Sequence, residues 1–143
     1  MSDPTQSLVQ AAIDAAKTAY APYSNFHVGA ALLLDSGEIV TGSNFENASY
    51  GMTLCAETVA IAKANSDGKL RNIREIAVAG GLAGMVGKAA DPITPCGRCR
   101  QIIKEVADLV ATDIPLHCEH ASGYETYMLS ALLPHGFGPA SLK

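Results

Sequence analysis

Apolar residues recur every three or four positions near the start of the chain. Leu8, Val9, Ala12, Ile13, Ala16 and Tyr20 fall on one helical face, the pattern of an amphipathic helix. Asp3-Pro4 supplies an N-cap followed by proline at the first helical position, Gln6 sits where a capping-box partner would, and Pro22 is expected to end the helix. The period then changes. Residues 27–34 form a short apolar run, HVGAALLL, Asp35-Ser36-Gly37 is a turn, and residues 38–43 read as a second strand, so the two predict an antiparallel hairpin. Residues 44–52 are polar and small, as in a loop. A helix is predicted from Thr53 or Leu54 to about Asn65, where Ser66-Asp67-Gly68 stops it. Residues 73–79, IREIAVA, read as a third strand, and residues 80–92 as a glycine-rich loop. A third long helix is expected over 96–109, opened by Pro95, then a strand over 115–119, a short helix over 127–133 stopped by Pro134, and an irregular tail. Helices alternating with strands predict an α/β fold, a three-layer α/β/α sandwich whose sheet is covered on both faces and whose later strands run parallel.

Length and composition add limits. The chain has 143 residues, 48% of them hydrophobic and 17% charged, which suits one domain with a core that needs no staples. With no internal repeat or linker, residues 1–143 read as a single domain. The net charge of −4 disfavours a nucleic acid backbone or an anionic membrane as partner. The first residues lack a basic stretch, the first lysine being Lys17, and the longest uncharged apolar run, residues 76–87, is too short to span a bilayer. A cytoplasmic location is expected. Thiols stay reduced there, so the four cysteines point to a metal or to catalysis before a disulfide. The 80–92 loop is not a phosphate loop: five residues separate Gly81 from Gly87, and Ala89 follows Lys88.

The chemistry concentrates in two segments, Thr53-Leu54-Cys55-Ala56-Glu57 and Pro95-Cys96-Gly97-Arg98-Cys99. Both open predicted helices, whose free N–H groups and partial positive charge favour thiolates. Cys96 and Cys99, three apart, share a helix face. Three thiolates between two helix ends suit Zn²⁺, and three protein ligands leave the open position of a catalytic site. Glu57 lies roughly 200° around a regular helix from Cys55. Both therefore reach one site only if the metal lies off the helix end, where Glu57 serves as a proton carrier rather than a ligand. Other readings of the same residues stand beside this one. The C-x-x-C pair suits a redox dithiol, which leaves Cys55 and Glu57 without a role. One of His27, His117, His120 or His135 could close a structural zinc site, or the thiols could be core residues that bind nothing. Cys118, inside a strand, reads as a small core residue.

Further segments complete a pattern: Ala21-Pro22-Tyr23-Ser24-Asn25-Phe26, Val28-Gly29-Ala30-Ala31, Gly42 through Gly51 (GSNFENASYG), Pro95 through Gln101 (PCGRCRQ), Leu132-Leu133-Pro134 and Phe137-Gly138-Pro139. With the cysteine segments, they resemble the small, homotetrameric, three-cysteine cytidine deaminases over nearly the whole chain. The resemblance implies one Zn²⁺ per chain held by Cys55, Cys96 and Cys99 with water as fourth ligand, and Glu57 as the catalytic proton carrier. It implies hydrolysis of cytidine and 2′-deoxycytidine to the uridines and ammonia, in pyrimidine salvage. Asn44 and Glu46 would bind the ribose 3′-hydroxyl, and the Ala56 backbone the base carbonyl. Phe26 would pack on the pyrimidine, as would Phe137 from a neighbouring subunit. A carboxylate at Glu46 argues for nucleosides over nucleotides. Alternatives are a deaminase of a modified cytosine nucleoside or aminonucleoside antibiotic, and a noncatalytic zinc-stabilised binding module.

The chain departs from the family pattern in places. Thr58 stands where arginine usually follows Cys-Ala-Glu, so helix N-termini, aided by Arg100, are expected to offset the charge of three thiolates. Phe45 is bulkier than the usual aliphatic residue, Ala131 replaces a frequent acid, and the 80–92 loop is long. These changes bear on substrate preference rather than on the zinc chemistry.

Overall fold

The computed structural model describes residues 3–142. Helix α1 (Pro4–Ala16) starts where expected: the Asp3 carboxylate accepts a hydrogen bond from Thr5 N–H at 3.0 Å, replacing one bond the first turn lacks. It ends a turn earlier than its apolar pattern suggests. Thr18 Oγ1 donates to the Ala15 carbonyl, and Tyr20 leaves the helix to form a bridge with Phe45. Backbone pairing at Tyr20, not Pro22, sets that limit.

Strands β1 (Phe26–Leu34), β2 (Ile39–Ser43), β3 (Ile73–Leu82), β4 (Pro115–His120) and β5 (Gly123–Met128) form a mixed sheet in the order β2-β1-β3-β4-β5. The β1–β2 hairpin is antiparallel, with Ala31 opposite Thr41. β1 also runs antiparallel to β3, with Ala30 opposite Val78. Among these five strands β3 and β4 alone pair in parallel, Ala77 beside His117, because helix α3 (Gly97–Val110) carries the chain between them. β5 corrects the sequence reading. It pairs antiparallel with β4, with Cys118 opposite Glu125, and the helix expected over 127–133 shrinks to α4 (Leu129–Leu132). Glu125 and Met128 of β5 are exposed and none of its residues is fully buried. An edge strand of this kind lacks the apolar face by which strands are read.

Period-two alternation sorts the side chains into two layers. Leu32, Ile76, Val78 and Leu116 face a core closed by helix α2 (Ala56–Ser66) and α3. Ala31, Ala77 and Ala79 face α1, whose Leu8, Val9 and Ala12 complete a second core. The small residues on this second face let α1 lie close. A Cβ on Gly29 would stand 2.0 Å from the Ala12 carbonyl oxygen. Gly42 does the same for α2, where a Cβ would meet Ala60 N at 2.6 Å and the Ala56 oxygen at 2.7 Å. The second contact fixes the N-terminus of α2 against β2, and that N-terminus carries the site. Among the described residues no helix is long and apolar enough to cross a membrane.

Candidate active site and metal centre

Cys55 and Cys96 are the N-cap residues of α2 and α3, both with extended backbone (φ −75°, ψ 154° and φ −65°, ψ 166°). The first intrahelical bonds run from Val59 N–H to the Cys55 carbonyl (3.0 Å) and from Arg100 N–H to the Cys96 carbonyl (2.9 Å). The N–H groups before Val59 and Arg100 lie outside the helical ladders, and two positive helix ends therefore meet at the sulfurs. Because Cys55 is outside the helix, the angular separation expected from Glu57 does not apply. The charge of Cys55 is felt at the Glu57 carboxyl.

Cys55, Cys96 and Cys99 bring their sulfurs within 4.8 Å of one another, with Cys55 Sγ and Cys96 Sγ 3.7 Å apart. Zinc–sulfur bonds of about 2.3 Å at a tetrahedral angle separate two sulfurs by about 3.8 Å, so the donor set fits that ion. Among the described residues the group contains no histidine. His117 instead lies on β4, with Nε2 2.7 Å from Glu75 Oε1 and Nδ1 2.8 Å from Thr126 Oγ1.

Charge within the cluster is shared unequally. The hydrogen bond from Cys99, then that from Cys96 and the charge of Arg98, pull the Cys55 thiol down to about 6 against the effect of burial. The Cys99 thiol is pushed up, first by bonding to the Cys55 sulfur, then by burial and by the Glu57 charge. Glu57, in the first turn of α2, is only 3% exposed. Burial raises its pKa, the Cys55 charge adds to this, and its own backbone N–H and the Cys99 thiol act the other way. A carboxyl raised in this manner holds a proton more readily than an ordinary one, as a proton carrier must. Thr58 Oγ1 lies 3.6 Å from Cys99 Sγ.

Arg100 does not aid the sulfurs as expected. Its guanidinium donates to the Pro95 carbonyl (2.8 Å) and the Leu132 carbonyl (3.0 Å). Arg98 reaches toward the Cys55 segment instead, donating to the Thr53 carbonyl at 3.3 Å. The sequence reading missed it, although its place between two cysteines at a helix start was a usable signal. Cys118 is buried in the core, which pushes its thiol up to about 12.

Asn44, Glu46 and Phe26 form a second group. Asn44 Nδ2 donates to the Phe26 carbonyl and its Oδ1 accepts from Val28 N–H, both at 2.9 Å. Glu46 Oε1 accepts from Tyr23 N–H (3.0 Å) and Ser24 N–H (3.1 Å), and its Oε2 takes the Ser24 hydroxyl. The two side chains do point one way, as the extended reading required, and they grip residues 23–28. Within that segment Asn25 takes a positive φ of 58°, a conformation asparagine tolerates, and turns the chain into β1. The half-buried Phe26 ring lies against Gly80. Phe45, between the two clamps, points out instead: it is 54% exposed and meets Tyr20 edge-on. Its bulk therefore lies away from Asn44 and Glu46. The two groups join where Phe45 and Leu54 exchange backbone hydrogen bonds of 2.9 Å, one residue from Cys55. Ala56, the first residue of α2, is fully buried. Phe137 stands apart, 58% exposed, with its carbonyl held by Gln101 Nε2 at 2.9 Å.

Residues 2–111 match the family described as the cytidine and deoxycytidylate deaminase zinc-binding region. The chain belongs to that family. It is 42% identical over 133 residues to a cytidine deaminase of Halalkalibacterium halodurans, covering 92% of each chain. It is 38% identical over 139 residues to one of Sporosarcina psychrophila, covering 96% of this chain and 94% of the relative. The crystal structure of cytidine deaminase from Burkholderia pseudomallei superposes with a TM-score of 0.79 at 37% identity, over 92% of this chain and 97% of that one. That family's metal is zinc, and three converging thiols are a donor set that suits it.

Proposed function

We propose that the chain is a zinc-dependent cytidine deaminase that converts cytidine and 2′-deoxycytidine, with water, to uridine and 2′-deoxyuridine plus ammonia. The observation that carries this reading is the meeting of three sulfurs at two helix N-termini beside a buried glutamate. Cys55, Cys96 and Cys99 hold the ion. When bound, zinc supplies the Lewis acidity that makes water a nucleophile near neutral pH.

The chain's own residues do the rest. Glu57 takes the proton of the attacking water and delivers it to N3 of the pyrimidine. It then carries a second proton to the amino group, which leaves as ammonia. Its raised pKa allows it to hold and release a proton in turn. The Ala56 N–H, at the positive end of α2, donates to the base carbonyl. Phe26 packs on the ring. Asn44 retains one amide hydrogen and one lone pair beyond its two bonds to β1, and these, with the carboxylate of Glu46, take the ribose 3′-hydroxyl. A carboxylate at that place repels a phosphate, so the substrate is a nucleoside. Phe137, exposed on its own chain, reaches a neighbour's site in a homotetramer. Residues 1–143 act as one catalytic domain, in the cytoplasm, returning cytosine nucleosides to the uridine pool in pyrimidine salvage.

Incubation with cytidine, followed by ultraviolet absorbance, tests the reading. Loss of the cytidine band with release of ammonia is expected, together with one zinc per chain. An unchanged band at high protein concentration overturns it and leaves a deaminase of a modified cytosine nucleoside or a binding module.

A further inference from the structure

Three thiolates around one divalent ion leave a net negative charge, which weakens the ion's pull on a fourth ligand unless nearby donors or cations offset it. Cys55 and Cys96 receive that help directly, as caps on the positive ends of α2 and α3. Cys99 does not, because it lies inside the first turn of α3 and is fully buried. Beside the Cys55 sulfur and the Glu57 carboxyl, the side chain of Thr58 also reaches it, with Oγ1 3.6 Å from Cys99 Sγ. A cation also spans the two cysteine segments. Arg98 projects from α3, between Cys96 and Cys99, and its guanidinium is tied to the Thr53 carbonyl two residues before Cys55. The other arginine of this turn, Arg100, is turned to the Pro95 and Leu132 carbonyls.

We propose that Thr58 and Arg98 jointly tune the sulfur centre. The Thr58 hydroxyl donates to the Cys99 sulfur, and the Arg98 guanidinium lays a positive charge across the Cys55 segment. Both are positioning residues that act through the cysteines and touch no substrate. The division of labour follows burial. Thr58, half-buried in α2, offers a dipole with little desolvation cost, while Arg98, at the surface, keeps its charge hydrated. The inference rests on the zinc reading of the cysteines but not on which nucleoside is the substrate.

The test reads zinc directly. Zinc-loaded protein is equilibrated with a competing chromogenic chelator at low and high salt. Thr58→Val, which keeps the shape and removes the hydroxyl, and Arg98→Gln, which keeps a donor and removes the charge, are each expected to weaken zinc binding roughly 10- to 100-fold, Arg98→Gln at the lower end. Thr58→Ser and Arg98→Lys are expected to stay near the parent. The Arg98→Gln deficit should shrink at high salt, where an exposed charge is screened, and the Thr58→Val deficit should not. Unchanged affinity in both deletions overturns the proposal. A deficit in Arg98→Lys equal to that in Arg98→Gln, or one insensitive to salt, overturns the role of the charge. Zinc retention is measured without turnover, so a protein inactive on cytidine contradicts the deaminase reading alone, and unchanged zinc affinity contradicts this proposal alone.

Discussion

Two buried polar groups lie side by side in this molecule and spend their bonding capacity in opposite ways. Asn44 and Glu46 give theirs to the chain: five hydrogen bonds tie them to Tyr23, Ser24, Phe26 and Val28. The cysteine centre keeps its capacity open. Its sulfurs face one another, and Glu57 is buried against them with its proton affinity raised. Burial raises the pKa of both carboxyls, yet the two end up shifted in opposite directions for a plain reason. Donors led by the Ser24 hydroxyl outweigh burial at Glu46 and favour the anion, whereas at Glu57 burial prevails and the anionic sulfur of Cys55 adds to it. A group already satisfied by backbone builds a fixed wall, and a group left reactive performs chemistry within it. The bridge between Phe45 and Leu54 holds wall and reactive centre in register.

Removing a sulfur breaks the reactive side most severely. Cys99→Ala is expected to release zinc and reduce turnover to background, with metal content per chain and cytidine absorbance as the readouts. Glu57→Gln comes next. It preserves shape and the metal but removes the proton carrier, so kcat should fall by roughly 10²–10⁴-fold with zinc retained. Full turnover in that variant would leave the glutamate without its assigned task.

The wall responds differently. Asn44→Ala strands the Val28 N–H and the Phe26 carbonyl, which Asn44 satisfies in a partly buried setting. A loss of about 1–3 kcal/mol in urea unfolding is expected, with KM rising more than kcat falls. The reverse kinetic pattern would place Asn44 in the reactive group. The smallest change on this list of substitutions is Gln101→Ala. It frees the Phe137 carbonyl from an exposed bond and should raise KM modestly while leaving zinc content unchanged, checked by steady-state kinetics and metal analysis.

The reactive centre was the more legible of the two in sequence, because metal ligation imposes fixed spacings: Cys55 and Cys96 stand at helix starts as expected, though as caps just outside the helices rather than within them, and Cys99 follows at one turn. The sheet's inner strands were legible for a simpler reason, since residues 28–34 and 76–79 are uncharged apolar runs. β5 was not, because an exposed edge strand such as YETYM needs no apolar face. The clamp was half legible. Asn44 and Glu46 stood out as a polar pair pointing one way, but their backbone partners lie 16 to 23 residues earlier in the chain, and no local pattern encodes such a pairing. Arg98 was half legible too: its place between two cysteines was visible, but its bond to the Thr53 carbonyl forms only when the two cysteine segments meet.

Acidification offers the finest discrimination between the two carboxyls. The Ser24 hydroxyl, then the Ser24 and Tyr23 N–H groups and the charge of His27, hold Glu46 below the ordinary carboxylate range, against the opposing effect of burial. Its pKa is therefore lower in the folded chain than in the unfolded one. The unfolded chain binds the proton more readily, so the stabilisation is fully present above the unfolded value, about 4.3, and disappears as pH falls through the folded value. Glu46→Gln keeps the shape but cannot ionise. The urea-stability gap between parent and variant should be constant from neutral pH down to about pH 5 and narrow steadily below pH 4. Glu57 carries the opposite sign: its raised pKa means that ionisation opposes folding, so Glu57→Gln should be no less stable than the parent at neutral pH. An Asn44–Glu46 clamp whose stability gap ignored pH would have to be held by shape rather than by an anion. The contrast between a satisfied carboxylate and a frustrated one would then fail at its satisfied end.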